Sequence, residues 1–531
     1  MKGARTLIIG LDGATWKVAD PLIDQGKLPN LAMIKKQGVW SYLNSTTPPM
    51  TLPSWSSMLT GCNPGKHGIF DFVQYQDRKL RFVHALDRCV PTIHQILSDR
   101  GGRVASLLVP TTWPPSPING VMVSGFDSPV STDIDASFCH PTTLYKELRR
   151  RFGAVHFADL QESNIQEGWH EHALPRLIKE VERKQKLGEW LLEQERWDCF
   201  MLLFGESDTV SHHFWMFHDP QSPRFRNIPA LRNAIIDVYQ RLDQALGSLI
   251  EKANPDWICV CSDHGFGGAG EHVLYLNNFL QQHGWLTPKR ESRLAPLRNK
   301  IAKRVPHSIL GKVFRNLPAS IRDGVESRAR YGGIDFDRTR AFSDEMNYAT
   351  TIRMPSIAGF ERLKEHLLSW EVDGHHPVRS VHTRDELYWG MAVERSAEVI
   401  VELNLRENYS YTILSSGAVQ SKTIWRMLDV HEHMGGKGLG MNGTHRQHGV
   451  LGLYGRGIEG QCVQANMEDI APTLLHLMGE SVPVYMDGKV VSGSENVSFS
   501  SEDGVLRVQE LDLSPDQSQA MRDRLENLGY L

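Results

Sequence analysis

The chain has 531 residues, of which 40% are hydrophobic, and a formal net charge of −4. This composition provides for a sizeable packed core, and it excludes a charge field that would by itself attract nucleic acid or an anionic membrane. No apolar run approaches the roughly 20 residues of a membrane-spanning helix, so we predict no transmembrane segment. Seven cysteines without a CxxC pair favour a reducing, cytoplasmic setting.

The first predicted strand is the apolar run TLIIGL, which ends at Asp12. Two short helices separated near Pro29 follow it, and the chain then runs extended into TTPPMTLPSWSSMLTG. Pro48 and Pro49 favour an extended backbone. The residues after them predict a short helix that is closed by Gly61.

Thr51 lies at the predicted N-terminus of this helix. Unpaired backbone N–H groups and the positive end of the helix dipole meet there, and this environment favours an alkoxide and an incoming phosphate. A threonine in this position is alternatively a simple N-cap, which is the commoner role. The case for a nucleophile therefore depends on residues elsewhere in the chain.

Acidic and histidine side chains also follow two later apolar runs. Asp208 and His212 come after CFMLLFG, four residues apart at the start of a predicted helix, so they share one face and could bind one ion. Asp263 and His264 come after WICVC. Because strand ends line one crevice in an open α/β sheet, we expect these residues to meet Asp12. The GFGGAG run must then bend the backbone, since neighbouring strand residues face opposite ways.

The composition changes between residues 276 and 434, where a basic, proline-broken run at 289–315 precedes a separate helix-like piece. We predict an inserted α+β cap region here; its basic run could contact an anion, although a solvated helical face is the default. The glycine-rich HEHMGGKGLGMNGTHRQHG matches neither a P-loop nor a dinucleotide fingerprint, and we predict a mobile loop that carries His445. The core then comprises residues 1–275 and 435–490, and residues 491–531 form a linker and a helix.

In order along the chain, these motifs resemble the metal and nucleophile motifs of the alkaline phosphatase superfamily. The motifs are GLDGA at Asp12, TLPSWSSMLTG at Thr51, DTVSH at Asp208, SDHG at Asp263 and GTHRQHG at His445. The branch they resemble most is the type I phosphodiesterase/nucleotide pyrophosphatase-like group, which includes bacterial phosphohydrolases and phosphomutases. The resemblance covers most of the chain. It implies an α/β fold, with an alkaline-phosphatase-like core whose mostly parallel central sheet is flanked by helices.

Carried over by position, the resemblance implies two divalent metal ions. The ligands of the first ion lie beside the Thr51 oxygen, which is itself a ligand, and they are Asp12, Asp263 and His264. The ligands of the second ion are Asp208, His212 and His445. Mixed carboxylate and imidazole ligands favour Zn²⁺, with Mn²⁺ possible.

The nucleophile helix departs from the family pattern. Eukaryotic nucleotide pyrophosphatases supply an asparagine from this helix to the phosphoryl oxygen, whereas this chain has Ser54. We predict that Ser54 contacts the substrate, while the anion-stabilising contact and the choice of substrate stay open. The resemblance does not extend to sulfatases, because Thr51 cannot become formylglycine.

These features predict a metal-dependent phosphoric-ester hydrolase, either a phosphodiesterase or a phosphatase, that acts on a small-molecule phosphate ester through a phosphothreonine at Thr51. Return of the phosphoryl group to a second hydroxyl would instead make a phosphomutase or phosphotransferase. An alternative from another class is a non-catalytic, metal-stabilised binding protein, although such a protein gains nothing from a nucleophile. We expect no specific nucleic-acid binding, and the oligomeric state stays open.

Overall fold

The computed structural model describes residues 2–76, 79–125, 136–153, 165, 167–289, 333–345, 350–416, 422–434, 441–492 and 496–501. Its α-helices are α1 Trp16–Asp24, α2 Pro29–Gln37, α3 Thr51–Thr60, α4 Pro64–His67, α5 Ile93–Asp99, α6 Leu144–Phe152, α7 Trp169–Leu192, α8 Glu206–His218, α9 Ala234–Ala253, α10 Leu276–Gln282, α11 Phe360–Leu368, α12 Arg384–Leu387 and α13 Ile470–Leu477. None of these described helices combines the length and the apolar character needed to cross a membrane.

The first strands in chain order are β1 Gly3–Leu11, β2 Val39–Asn44, β3 Val73–Gln76, β4 Lys79–Phe82, β5 Val104–Val109, β6 Gly120–Ser124, β7 Cys139–His140, β8 Arg196–Phe204, β9 Trp257–Cys261 and β10 Gly265–Leu274. The later strands are β11 Thr351–Ile352, β12 Val378–Thr383, β13 Val399–Leu403, β14 Leu405–Arg406, β15 Tyr409–Ile413, β16 Trp425–Met427, β17 Gly443–Arg446, β18 His448–Gly455, β19 Gln461–Cys462, β20 Val482–Pro483 and β21 Phe499–Ser500.

Nine of the described strands form a central sheet in the order β19-β2-β18-β9-β1-β8-β5-β6-β7. Its centre is parallel, since β1 pairs with β8 and β9, and β5 pairs with β6 and β8. Antiparallel pairing occurs toward the edges, where β18 lies between β2 and β9, and β7 lies beside β6. Parallel strands end at the same edge of a sheet, so the ends of β1, β8 and β9 lie side by side.

Helices cover both faces of the central sheet, which explains why its inner strands are almost continuously apolar. Leu7 and Ile9 of β1 pack on one face with α1, α2, α7, α8 and α9. Ile8 packs on the other face with α3, α5 and α13. Cys259 and Cys261 of β9 share this second face and are buried. The side-chain alternation of β1 thus anchors both helical layers.

Strand β10 follows β9 of the central sheet and pairs with strands from the region predicted as an insertion. Its first residues pair with β17, where Phe266 lies opposite His445. Its later residues pair with β15 and β16 in a second sheet of order β14-β15-β10-β16. A further sheet of order β11-β13-β12 packs with α10, α11 and this second sheet around a separate hydrophobic core.

Two local predictions are wrong in this part of the chain. The GFGGAG run is not a bend but the start of β10, and the turn falls earlier, at residues 262–264 between β9 and β10. His445 lies on β17 rather than on a loop, because β17 pairs with the glycine-rich start of β10. This pairing satisfies backbone groups that a loop would leave to water.

Some predicted features lie outside the described residues. These are the basic run from residue 290 onward, residues 435–440 of the glycine-rich segment, and the tail from residue 502. The division into a core at 1–275 and 435–490, an inserted region at 276–434 and a tail at 491–531 stays a prediction.

Candidate active site

Thr51 is the first residue of helix α3, and Met50, with an extended backbone, precedes it as the N-cap. The side chain of Thr51 is buried, and its Oγ1 lies 3.5 Å from Nε2 of His264. The N-cap role that the sequence left open for Thr51 therefore belongs to Met50. The structure instead brings the Thr51 hydroxyl to the end of β9, although β9 lies some 200 residues later in the chain.

Three histidines present the same ring nitrogen to the centre of this site. Each Nδ1 lies within hydrogen-bond distance of a backbone carbonyl, in the pairs His212–Gly443 at 2.9 Å, His264–Gly265 at 3.1 Å and His445–Pro49 at 2.9 Å. A carbonyl only accepts, so Nδ1 carries the proton and Nε2 keeps its lone pair. The Nε2 atoms of His212 and His445 are 3.2 Å apart. Two lone pairs at this distance repel unless a cation lies between them.

Three buried aspartates surround these nitrogens. Oδ1 of Asp208 lies 3.1 Å from Nε2 of His212 and 3.5 Å from Nε2 of His445. Around Nε2 of His264, Oδ2 of Asp263 lies at 3.2 Å and Oδ1 of Asp12 at 3.7 Å. The structure thus brings together all seven residues that the sequence proposed as metal ligands, Thr51 included.

Two sets of ligand atoms have all their members within 4.8 Å of one another among the described residues: Asp208, His212 and His445, and Asp12, Asp208 and His264. The first set is the one predicted for the second metal. In the other set, Asp208 stands where we predicted Asp263, which lies beside His264 at 3.2 Å. Asp208 therefore connects the two sets.

The electrostatics of these side chains favour a bound cation. Burial raises the pKa of Asp12 well above its ordinary value, and the charges of Asp263 and Asp208 raise it further. Burial also raises the pKa of Asp263, whereas burial and then the charge of His445 lower the pKa of His264. Oδ1 of Asp12 and Oδ2 of Asp263 are buried without a hydrogen-bond partner among the described residues. Carboxylates with neutral imidazoles form a donor set that zinc and manganese accept.

Neighbouring groups orient the aspartates. Nε1 of Trp55 donates to Oδ2 of Asp12 at 3.3 Å, and the backbone N–H of Gly13 donates to Oδ1 of Asp263 at 3.0 Å. Ser207 Oγ donates to the carbonyl of Asp12 at 2.7 Å. None of these three residues is predicted as a site residue from the sequence. Gly13 and Ser207 carry only one signal there, which is that each adjoins a predicted ligand.

A glycine lets the strand that carries His445 approach helix α8. A Cβ atom on Gly443 would lie 2.2 Å from the carbonyl oxygen of Ser211. The backbone N–H of Asn442 donates to the carbonyl of His212 at 2.9 Å. This close approach places His445 against His212, so the position requires glycine on steric grounds.

Ser54 lies one helical turn after Thr51, and its hydroxyl bonds to the segment before the helix. Its Oγ lies 2.8 Å from Oγ of Ser45 and 2.8 Å from Oγ1 of Thr46. These contacts hold the approach segment against α3. The role of Ser54 as a substrate contact stays a prediction.

A cleft of about 330 Å³ borders the site at His445. Residues 47–49 and 444–448 form one wall, and β13, β15 and Arg379 form the other. Arg446 lines this cleft beside His445. Trp215 is buried and stacks on Phe266.

Comparisons with known proteins bear on the whole chain. A sequence model of the family described as type I phosphodiesterase/nucleotide pyrophosphatase matches residues 6–370. Two structures of phosphonoacetate hydrolase from Sinorhizobium meliloti 1021, one with phosphonoformate and one with phosphonoacetate, are each 16% identical to this chain. Each alignment covers 90% of this chain and 96% of the hydrolase chain, and the TM-scores are 0.52 and 0.51. Human ectonucleotide pyrophosphatase/phosphodiesterase 5 is 14% identical, with coverage of 93% and 97% and a TM-score of 0.46.

A comparison with curated proteins found no match. The structural similarity to phosphonoacetate hydrolase, at 16% identity, shows a shared fold. It confirms the predicted α/β fold with an alkaline-phosphatase-like core, and the family match confirms the resemblance drawn from the motifs.

Proposed function

Because this chain belongs to the type I phosphodiesterase/nucleotide pyrophosphatase family of the alkaline phosphatase superfamily, and is therefore a phosphoric-ester hydrolase, we propose that it cleaves its substrate with Thr51 as the nucleophile and with two bound divalent cations. The product of the first step is a phosphothreonine, which water then hydrolyses. The substrate is a small-molecule phosphate monoester or diester.

The observation that supports this proposal best is the pair of Nε2 atoms 3.2 Å apart on His212 and His445. Their Nδ1 atoms face carbonyl oxygens, so both Nε2 lone pairs point into the same space. Oδ1 of Asp208 lies within 3.5 Å of both. A core packed for stability alone would not bring these charges and lone pairs together, because burying a polar group without a hydrogen bond costs on the order of 2–7 kcal/mol of folding free energy.

We assign the cations to two ligand sets. Asp208, His212 and His445 hold one, and Asp12, Asp263 and His264 hold the other, beside Oγ1 of Thr51. Asp208 is near enough to both sets to contact either cation. Zinc suits mixed sets of imidazole nitrogens and carboxylate oxygens of this kind, and manganese is the alternative. When bound, such ions neutralise the phosphoryl oxygens and favour the ionised form of a hydroxyl.

Thr51 is placed to attack phosphorus from the first turn of α3. Its Oγ1 forms the new bond to phosphorus while the bond from phosphorus to the ester oxygen breaks, and the alcohol leaves. Backbone N–H groups of the first turn and the helix dipole favour the negative charge that gathers there. Thr51 is buried, which limits the access of bulk water to its Oγ1.

The test compares wild type with Thr51→Ala in metal content and in hydrolysis of 4-nitrophenyl phosphate and bis(4-nitrophenyl) phosphate. Thr60→Ala is the matched control, because Thr60 is buried at the other end of the same helix and its Oγ1 donates to the carbonyl of Ser56. We expect two metals in all three proteins and loss of turnover only in Thr51→Ala. The preferred ester then separates a phosphatase from a phosphodiesterase.

Other outcomes would support the alternatives. Full turnover by Thr51→Ala would refute the nucleophile. Two metals with no hydrolysis of either ester would favour a phosphomutase or a metal-stabilised binding protein. We also propose a cytoplasmic location, which is consistent with seven free cysteines, six of them buried.

A further inference from the structure

The cleft beside His445 contains a guanidinium that no carboxylate neutralises among the described residues. Nη2 of Arg446 donates to the carbonyl of Gly268 at 2.7 Å and, more weakly, to that of Asn408 at 3.4 Å. Nη1 donates to the carbonyl of His445 at 3.0 Å. These acceptors are neutral, so they hold the guanidinium in place without cancelling its charge.

The other charged side chains in the cleft neutralise one another. Nη2 of Arg379 lies 3.0 Å from Oε1 of Glu402. The second oxygen of Glu402 accepts a hydrogen bond from Ser380 and lies 3.3 Å from Nε2 of His382. Both oxygens of Glu402 are thus engaged, which leaves Arg446 as the source of net positive charge among the lining residues.

The remaining surface of the cleft suits a small aliphatic group. The side chains from β13 and β15 are mainly aliphatic, including Ile400, Leu403 and Ile413. Oγ of Ser410 is buried in this wall with no hydrogen-bond partner among the described residues. Tyr411 is the one aromatic residue, histidines apart, among the lining residues. A nucleobase gains most of its binding from aromatic stacking, which this cleft offers little of.

We propose that this cleft binds the alcohol part of the substrate and that Arg446 contacts an anionic group on it. The inference rests on the proposed function and names its substrate class: phosphoric esters of small aliphatic alcohols that carry a carboxylate or a second phosphate. His445 is both a candidate metal ligand and a lining residue, so an ester held at the site has its alcohol next to the cleft. Arg446 is then a specificity-determining residue.

The experiment measures kcat and KM for three esters. Glycerol 3-phosphate has an uncharged alcohol part, 3-phosphoglycerate carries a carboxylate, and propane-1,3-diol bisphosphate carries a second phosphate. If the chromogenic pair identifies a diesterase, the corresponding methyl diesters replace them. We expect kcat/KM of wild type to be about tenfold to a hundredfold higher for an anionic ester than for glycerol 3-phosphate, the range of a charge-assisted hydrogen bond. The two anionic esters show whether carboxylate or phosphate is preferred.

Arg446→Gln keeps N–H donors for the neighbouring carbonyls but removes the charge. We expect it to abolish the preference, mainly through a higher KM for the anionic ester. Arg446→Lys should keep part of the preference. Arg103→Gln is the matched control, because Arg103 is an arginine outside the residues that line the cleft and is paired with Glu195, and it should keep the preference in full.

A measurement on wild type alone covers the case in which Arg446→Gln does not fold. Glycerate should inhibit turnover of the chromogenic ester at a concentration about tenfold lower than glycerol. Equal inhibition, an absence of preference in wild type, or a preference that survives in folded Arg446→Gln would each overturn the inference while the hydrolase proposal stands. Absence of turnover with every ester would overturn the proposed function and this inference with it.

Discussion

The strand-end site and the cleft beside it handle charge in opposite ways. At the site, three buried aspartates and three histidines lie together, and five of them form two groups that could hold a metal ion. In the cleft, Arg379 and Glu402 are paired, and the guanidinium of Arg446 contacts backbone carbonyls. Clustered carboxylates and imidazoles favour a bound cation, whereas a guanidinium held by carbonyls favours an anionic group. In our proposal the site carries out the chemistry and the adjacent cleft selects the substrate, with His445 common to both.

The substitution at the site that should have the largest effect on metal content and turnover is Asp208→Asn. Asp208 is a ligand in one assigned set and lies near the other, so the substitution should remove one metal, weaken binding of the second and lower kcat by about 10³-fold or more, the scale of losing a metal-supported nucleophile. Metal content and turnover of a chromogenic ester are the measurements.

Asp243→Asn is the control for loss of any buried carboxylate. Asp243 is not a proposed metal ligand; it accepts hydrogen bonds from the backbone N–H groups of Asn30 and Leu31. Its replacement should therefore lower thermal stability and leave both metals bound. Retention of both metals by Asp208→Asn would contradict the role of Asp208 as the link between the two sets.

Removal of the metals should lower the stability of the folded protein, because the cations bind only at the folded site. Cations that bind only the folded state stabilise it by about 2.7 kcal/mol at a concentration of 100 Kd. A chelator should therefore lower the Tm, and added Zn²⁺ should restore it. A Tm that does not respond to chelator would mean that the buried carboxylates are accommodated without a cation.

The stabilisation by metal should also grow as pH rises from about 5 to 8. Burial raises the pKa of Asp12 and Asp263 in the folded chain without metal, so that chain favours their protonated forms and loses stability as pH rises above the ordinary carboxyl range. Cation binding requires ionised carboxylates and neutral imidazoles, which become more abundant over the same interval. The Tm of chelated and metal-loaded protein at several pH values checks this, and a constant difference would contradict it.

A smaller effect is expected from Gly443→Ala. The new Cβ would meet the carbonyl of Ser211 at 2.2 Å and push β17 away from α8. We expect a loss of stability of about 1–3 kcal/mol and weaker binding of the metal that His445 holds. Gly205→Ala is the control, because no atom lies within 4 Å of its added Cβ and its φ of −94° suits alanine. Equal behaviour of the two variants would argue against a steric role for Gly443.

The smallest effect should come from Ser54→Ala. The change removes hydrogen bonds to Ser45 and Thr46, which should cost about 1 kcal/mol of stability. If these contacts are the whole role of Ser54, KM for a phosphate ester stays the same. A several-fold rise in KM would instead support the predicted substrate contact.

The elements that the sequence predicts well are those governed by local pattern. The apolar runs before Asp12, Asp208 and Asp263 are β1, β8 and β9, as their continuous hydrophobicity indicates. Prolines 48 and 49 and the glycine at 61 place the start and end of α3 closely. The i, i+4 spacing of Asp208 and His212 correctly predicts a shared helical face.

Local sequence pattern does not predict which distant segments of the chain contact one another. The glycine run after His264 has no periodicity, and only its pairing with β17 makes it a strand. The cleft also depends on residues from 47–49, 379–413 and 444–448. Nothing in any one of these segments shows that they face one another.

The sequence by itself determined which side chains stand at strand ends and helix starts, because periodicity and turn residues act over a few neighbours. The tertiary structure decided how those side chains meet. Hydrogen bonds from Nδ1 to the carbonyls of Gly443, Gly265 and Pro49 direct the three Nε2 atoms inward. The fold also places Asp208 near both groups of ligands. It leaves Arg446 with carbonyl acceptors and no carboxylate partner among the described residues. These features depend on hydrogen bonds and burial between distant segments, which no local pattern encodes.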